Sequence, residues 1–310
     1  MAVIKSLVLI LCVVTSTLAT PLEFRATTTA PFVSESSPNP IGKLYPGNIT
    51  GTLNGTIAVV PIPYKLARKI IPSQWGILTK AYQQLLPGFP KDSYPLIVKS
   101  LLDHDVGLNG TQLIPDFQTV RVNFPFVDIL NDGYSSFQWG KYLLITESNE
   151  IGIDAIREYG SIPVPSLFKP DFQAYKYARP RSKTIYAEAR ANTSACADAT
   201  TKFSPFNRHG AWPLSFYINA TNQPVFGDPA KGCDNQILFY NTTLTTGKNA
   251  PVHVRGDIFI KAPYAHVPND RTFRNVFGIK VDVAFLENNY YECETLKGYH
   301  GTGSGDGYVA

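Results

Sequence analysis

Along residues 119–126 and 279–285 apolar and polar positions alternate. Val120, Val122, Phe124 and Phe126 interleave with Thr119, Arg121 and Asn123, and Ile279, Val281, Val283 and Phe285 interleave with Lys280, Asp282 and Ala284. A period of two marks a strand with one face buried. Similar runs at 56–62, 96–102, 141–146, 184–191, 214–219, 236–244 and 252–262 bring the predicted strands to nine, separated by Gly, Pro and Asn turn signals. Helical spacing is confined mainly to two stretches. One runs from Pro63 to Ile71 and is closed by Pro72. The other is 74–86, where Ile77, Leu78, Ala81, Tyr82 and Leu85 share an apolar face before Pro87-Gly88. Two helices covering a curved sheet is an α+β, mainly β layout, and the strand count predicts a barrel or sandwich. A large barrel of this kind encloses a ligand cavity, so the concave interior is the default site.

The two ends read differently. Lys5, an apolar run from Leu7 to Val14, and small residues at Thr17-Leu18-Ala19 have the pattern of a secretory signal peptide over residues 1–19. Residues 20–46 are rich in Ser, Thr and Pro and carry too little apolar surface to fold alone, so a disordered leader is expected there. Nothing in 47–297 is biased enough to be a linker, which predicts one barrel domain. The tail 298–310 alternates Gly with small residues. With no strand before it and no helix after it, it lacks the setting of a phosphate loop and is expected to be flexible. No later apolar stretch reaches the roughly 18 residues of a membrane helix, so a soluble, secreted chain with no membrane span is expected.

Composition narrows the function classes. The 310 residues are 44% hydrophobic and 17% charged, with a net charge of +4. An average domain is about a quarter charged, and this chain is neither disordered nor a coiled coil. The basic excess is scattered, with no Lys/Arg-rich run, so no nucleic-acid partner is expected. Asn48, Asn54, Asn109, Asn192, Asn219 and Asn241 each head an Asn-x-Ser/Thr acceptor sequence, which predicts N-glycosylation on exposed loops or strand ends. Of the cysteines outside the signal segment, Cys196 and Cys233 lie in polar, loop-like sequence. They are expected to pair in an oxidising compartment, leaving Cys293 as a spare thiol.

Three places could carry chemistry. Lys99 lies in the nearly apolar run Leu96–Leu102, where a charged group must face water, find a partner or become neutral. It is either an amine serving the interior or an outward-facing lysine whose stem covers apolar surface, and the second is the commoner arrangement. Asp103-His104-Asp105 then reads as a turn. The two carboxylates would share one face with His104 opposite, a poor metal cluster within one strand. No His-x-x-x-His, Cys-x-x-Cys or Gly-x-Ser-x-Gly occurs, so no metal site, redox pair or serine triad is predicted. Arg121 is a solvent charge or, if its face looks inward, a clamp for an oxyanion or carboxylate; exposure is the expectation for a lone arginine.

Several segments, in this order, resemble landmarks of the acetoacetate decarboxylase superfamily over roughly residues 55–286. They are Pro63-Tyr64-Lys65-Leu66-Ala67-Arg68-Lys69-Ile70-Ile71-Pro72, His104-Asp105, Asn149-Glu150 with Arg157-Glu158, and Ala265-His266-Val267-Pro268-Asn269. The resemblance implies a closed antiparallel barrel around an apolar cavity, and a Schiff-base lysine whose amine is kept neutral by burial and a neighbouring cation. The register that follows Arg157-Glu158 reads Ser161-Ile162-Pro163-Val164-Pro165, so Val164 and Pro165 occupy the two lysine positions. One carboxylate position of the family falls on Lys99 and another near Asp116. The family's own decarboxylation is therefore not expected.

The resemblance leaves Lys99, Asp116 and Arg121 as candidate catalytic residues and His104, Val164 and Arg157 as candidate substrate contacts, with Arg157-Glu158 expected to be a structural ion pair or cap. The predicted activity is cofactor-free lyase, cyclase or isomerase chemistry on a small apolar carbonyl compound in secondary metabolism, which requires polar groups converging inside the fold. The alternatives are a small-molecule-binding protein with a uniformly apolar interior, and a protein acting through its glycosylated surface.

Overall fold

The computed structural model describes residues 32–207 and 212–298. The signal-like segment, the first part of the leader and the Gly-rich tail beyond 298 lie outside them. The described strands are β1 (Ile49–Pro63), β2 (Gly76–Ile77), β3 (Ser93–Leu108), β4 (Thr111–Ile114), β5 (Phe117–Asp128), β6 (Phe137–Trp139), β7 (Tyr142–Thr146), β8 (Ile162–Lys169), β9 (Lys176–Tyr177), β10 (Ile185–Ala191), β11 (Ala199–Pro205), β12 (Val225–Phe226), β13 (Cys233–Phe239), β14 (Val252–Ile260) and β15 (Arg271–Tyr291). The helices are α1 (Tyr64–Ile70), α2 (Thr79–Leu85), α3 (Glu150–Glu158), α4 (Leu214–Thr221) and α5 (Ala262–Ala265). Among the described residues the fold is thus mainly β with five α-helices, and none of these helices is long and apolar enough to cross a membrane.

Strands β5, β7, β8, β10, β11, β14, β15, β1 and β3 pair in that order, and β3 pairs back onto β5. All of these pairings are antiparallel except β7 with β8. The long strands bury the apolar positions anticipated for them, Val120, Val122, Phe124, Ile279, Val281, Val283 and Phe285, but over 120–126 the interleaved Arg121 and Asn123 are buried as well, so β5 is covered on both faces. Each such apolar side chain contributes roughly 1.5–3 kcal/mol on leaving water, which makes the sheet the main source of stability.

The helices form for local reasons. Arg68 donates to the carbonyls of Ile71, Pro72 and Trp75 at 2.6–2.8 Å, closing α1 where Pro72 stops it. Asn149 caps α3 by accepting from the Gly152 amide at 3.0 Å, with Glu150 in the first turn and Arg157 in the last.

Residues 214–219, expected as a strand, belong to α4. The alternation of Leu214, Phe216 and Ile218 imitates a strand, but Phe216, Tyr217, Asn219, Ala220 and Thr221 are the buried set, a spacing that fits a helix and not a strand. The leader also departs from expectation. Over 32–46 it lies against the sheet: Val33 bridges Lys176, Ser34 N donates to Tyr175 O at 2.9 Å, and Ile41 packs with Ile237, Phe239 and Leu286. A segment too polar to fold alone is ordered here by docking onto a preformed surface.

The disulfide joins Cys233 to Cys293, with 5.0 Å between the Cα atoms, and Cys196 is a free, exposed thiol. The expected Cys196–Cys233 pair fails because Cys233 is not in a loop. It opens β13, whose pairing with β15 sets it opposite Tyr291, two residues before Cys293.

Candidate functional site

Two paired strands, β3 and β5, place Lys99 and Arg121. Lys99 on β3 stands directly opposite Arg121 on β5, so the two share a face, and Asp103 lies on that face four residues further along. Both basic residues were expected to face water; each is 8% exposed. Arg121 donates from a terminal nitrogen to the Tyr159 hydroxyl at 2.8 Å, and its guanidinium lies 5.4 Å from that ring's centre. Tyr159 comes from the end of α3, which packs Ile153 and Ile156 against Leu143 and Ile145 of β7. Asp103 accepts from the Thr119 hydroxyl at 3.2 Å.

Asp234 of β13 and Glu287 of β15 complete the cluster, hydrogen-bonded to each other, with Gln236 Nε2 donating to Glu287 at 2.9 Å. Glu287 occupies the next in-phase position after Ile279, Val281, Val283 and Phe285, so the alternation carried a signal for a carboxylate on a buried face. Tyr159 and Asp234 had no such signal, because they reach the cluster from elements remote in sequence.

Burial and neighbouring charge reset these groups. Burial, reinforced by the Arg121 cation, lowers the Lys99 amine to about 8 against the pull of Asp234, Asp103 and Glu287. Burial raises Asp103 to about 7, although Thr119 and the nearby cations oppose it. It also raises Asp234 and Glu287, and in Glu287 the proximity of Asp234 adds to the effect. The cluster therefore holds, near neutral pH, an amine and, in Asp103, a carboxyl group each within about a unit of its titration point, while Asp234 and Glu287 are shifted upward as well. Among the described residues no hydrogen bond or ion pair engages the Lys99 amine, and Arg121 Nε and Asn123 Oδ1 are buried without partners.

The alternate residues of the same strands make an opposite surface. Val98 pairs with Val122 and Ser100 with Val120, while Val120 pairs with Leu144 and Leu144 with Val164. Over these residues the face is apolar apart from Ser100; further along the same strands it carries Gln118 and His104. At its other end Phe124 and Trp139 meet His266, whose ring stacks on Trp139 at 4.9 Å and lies 5.2 Å from Tyr142. Burial, with a contribution from Lys141, pushes the His266 imidazole down to about 4, so it is neutral at physiological pH.

The other candidates lie apart from Lys99. Asp116 sits in the β4–β5 turn, accepting from Gln112 Nε2 at 2.7 Å. His104 is on the opposite face of β3 and not in a turn; the strand continues through it to Leu108. Its ring nitrogens lie 3.0 Å from Asp105 and 3.2 Å from Asp282, with the Thr52 hydroxyl 2.7 Å away. Burial alone would lower this imidazole, but the two carboxylates outweigh it and the net shift is upward. Asp105 joins the His104 side because its left-handed backbone, φ 52°, breaks the alternation that would have placed it beside Asp103. Arg157 is exposed and pairs with Asp154 at 2.6 Å, not with Glu158.

Among the described residues no group of three or more His, Cys, Asp or Glu side chains is placed to hold a metal. A cleft of about 680 Å³ is lined by Glu158, Gly232, Tyr291 and Glu292, next in the chain to Tyr159 and close to Asp234, but not by Lys99 or Arg121.

No family model and no curated protein matches the sequence. Among solved structures the chain is similar to acetoacetate decarboxylase from Legionella pneumophila, with 10% identity over 86% of this chain and 96% of that one and a TM-score of 0.43. It is similar to the enduracididine biosynthesis enzyme MppR complexed with pyruvate, with 7% identity over 84% and 98% of the chains and a TM-score of 0.43. An acetoacetate decarboxylase-like enzyme from Sphingomonas wittichii RW1 gives 4% identity over 78% and 91% and a TM-score of 0.40.

Proposed function

We propose that this chain is a small-molecule enzyme that uses the Lys99 amine on a carbonyl compound, in a lyase, cyclase or isomerase reaction without an added cofactor. One observation carries the reading: a buried amine brought down to about 8 beside Arg121, with no hydrogen-bond or ion-pair partner among the described residues. Such an amine is nucleophilic near neutral pH. Its nitrogen would bond to the carbonyl carbon and give up one of its two protons, the C–O bond would break as the oxygen leaves as water carrying that proton and one more from a neighbouring carboxyl group, and the cationic imine would draw electrons from an adjacent bond. The partly protonated Asp103 and the Asp234–Glu287 pair are suited to that proton transfer. In this reading the amine is Lys99's own, on the face of the sheet opposite Val164, and not a replacement at the Val164 position. Arg121 adds to the burial that eases the amine's deprotonation and, through its unpartnered Nε, is available to a substrate oxygen.

The ring of strand pairings fits a barrel, and the secretory reading of the N-terminal segment fits a secreted, disulfide-bonded glycoprotein. Reductive trapping tests the enzymatic reading. Incubation with pyruvate and borohydride should add a fixed mass to the peptide containing Lys99, and Lys99→Met should abolish it. Trapping only at exposed lysines, unchanged by Lys99→Met, contradicts the proposal. A second reading, a small-molecule-binding protein without chemistry, is favoured by the apolar face ending in the Trp139–Tyr142–His266 cluster. It predicts ligand binding that survives Lys99→Met.

A further inference from the structure

Four of the six acceptor asparagines, Asn48, Asn109, Asn192 and Asn241, are exposed or half-buried, as expected; Asn54 and Asn219 are buried. Asn54 is 3% exposed, and what covers it is the leader. Its Nδ2 donates to Glu35 O at 2.9 Å and to Ser36 Oγ at 3.2 Å, so both protons of the amide are engaged. Its cross-strand neighbour Asp282 accepts from Ser37 N at 3.1 Å. Residues 35–38 are thus an exposed arch held at its centre by Asn54 and Asp282. It is tethered on one side by Ser34 to Tyr175 and on the other by Asn39 Nδ2 to Thr50 Oγ1 at 3.0 Å. Beneath it lies a cleft of about 200 Å³ that Asn54 and Asp282 share with Tyr175 and Lys280.

We propose that Asn54 is a modification site whose occupancy lifts this arch, so that an N-linked glycan and the docked leader are alternative occupants of one place. The inference rests on the secretory reading of the N-terminal segment. Transfer forms a bond from Asn54 Nδ2 to the anomeric carbon of a lipid-pyrophosphate sugar donor. The anomeric C–O bond breaks, the pyrophosphate leaves with the electron pair, and Nδ2 loses one proton to the medium. One of the two anchoring N–H groups is then gone, and the sugar stands where Glu35 O or Ser36 Oγ stood. Order of synthesis allows this. Asp282, which anchors the arch, lies more than 200 residues after Asn54, so the acceptor emerges before the arch can dock.

Proteolysis after Glu35 provides the readout. The chain is made in a eukaryotic secretory host, and the same chain is made in bacterial cytosol, where it carries no glycan. Thr56→Val from the secretory host removes only this acceptor sequence and keeps Asn54. We expect a glycan on Asn54 by glycopeptide mass spectrometry, and cleavage after Glu35 by a glutamate-specific protease at least about tenfold faster than in either unmodified chain. That factor is the scale of losing one or two hydrogen bonds that close a locally opening segment. A glycosylated Asn54 with an unchanged cleavage rate overturns the proposal. So does an unmodified Asn54 in a chain glycosylated at Asn48, Asn109, Asn192 or Asn241. A chain carrying no glycan at any acceptor overturns both the proposal and the secretory reading.

Discussion

The two faces of the β3–β5 pair use alternate residues of the same strands and solve opposite problems. One face, from Val98 and Val120 to Phe124, is stabilised by removing hydrocarbon from water. The other buries Lys99, Asp103 and Arg121, groups whose desolvation opposes folding unless they pair or change protonation. The shifts of Lys99 to about 8 and Asp103 to about 7 are that change. An apolar face requires only volume. A buried charged face also sets protonation states, which is why the chemistry is assigned to it.

Substitutions should separate the two. The largest loss is expected on the apolar face, where Phe124→Ala removes a ring that touches Tyr94, Trp139 and His266. It should cost about 4 kcal/mol in denaturant unfolding while leaving the Lys99 adduct intact in the folded fraction. Arg121→Met, which leaves the Tyr159 hydroxyl without its donor, should cost about 3 kcal/mol and raise the Lys99 amine toward its ordinary value. Equal and small costs for both would mean that the faces do not differ as described.

The pH dependence comes next in size. Between 3.8 and about 7 folded Asp103 holds a proton that the unfolded chain has released, so its contribution to stability falls as pH rises through that interval. His104, raised by Asp282 and Asp105, adds in the same direction, its contribution being complete below 6.5 and lost above. Between about 8 and 10.5 the unfolded chain holds a proton that folded Lys99 has released, so stability rises with pH. His266, lowered to about 4, works the other way between about 4 and 6.5, where the unfolded chain holds a proton that the folded one has released, so the acid limb is steepest between 6.5 and about 7. Unfolding free energy should therefore pass through a minimum between pH 7 and 8, with limbs no steeper than about 1.4 kcal/mol per pH unit for each group. Asp103→Asn should flatten the acid limb and Lys99→Met the alkaline one. The smallest effect is expected from Lys99→Met on stability at neutral pH, less than about 1 kcal/mol, because an apolar chain of similar volume replaces a desolvated amine.

The long strands were legible in the sequence because apolar and polar residues alternate locally at 119–126 and 279–285; that 119–126 buries its polar face too was not legible. The fate of Lys99 and Arg121 was not. Local sequence offers a lysine on an apolar strand the snorkelling arrangement, whereas the structure surrounds it with Asp234 and Glu287, more than 130 residues away. The disulfide failed for the same reason. Cysteine spacing does not fix register, and the β13–β15 pairing that brings Cys233 to Cys293 joins segments some 50 residues apart. At 214–219 two periodicities fit the same letters, and packing of Phe216 and Ala220 decided for the helix.

The most direct test of the central claim is an NMR titration of the lysine side-chain amines, with Lys99→Met to assign the signal. The account predicts one amine with a midpoint near pH 8 that vanishes in Lys99→Met and moves upward in Arg121→Met. If the signal lost in Lys99→Met titrates near 10.5, the buried, neutralised amine does not exist and the catalytic assignment falls with it.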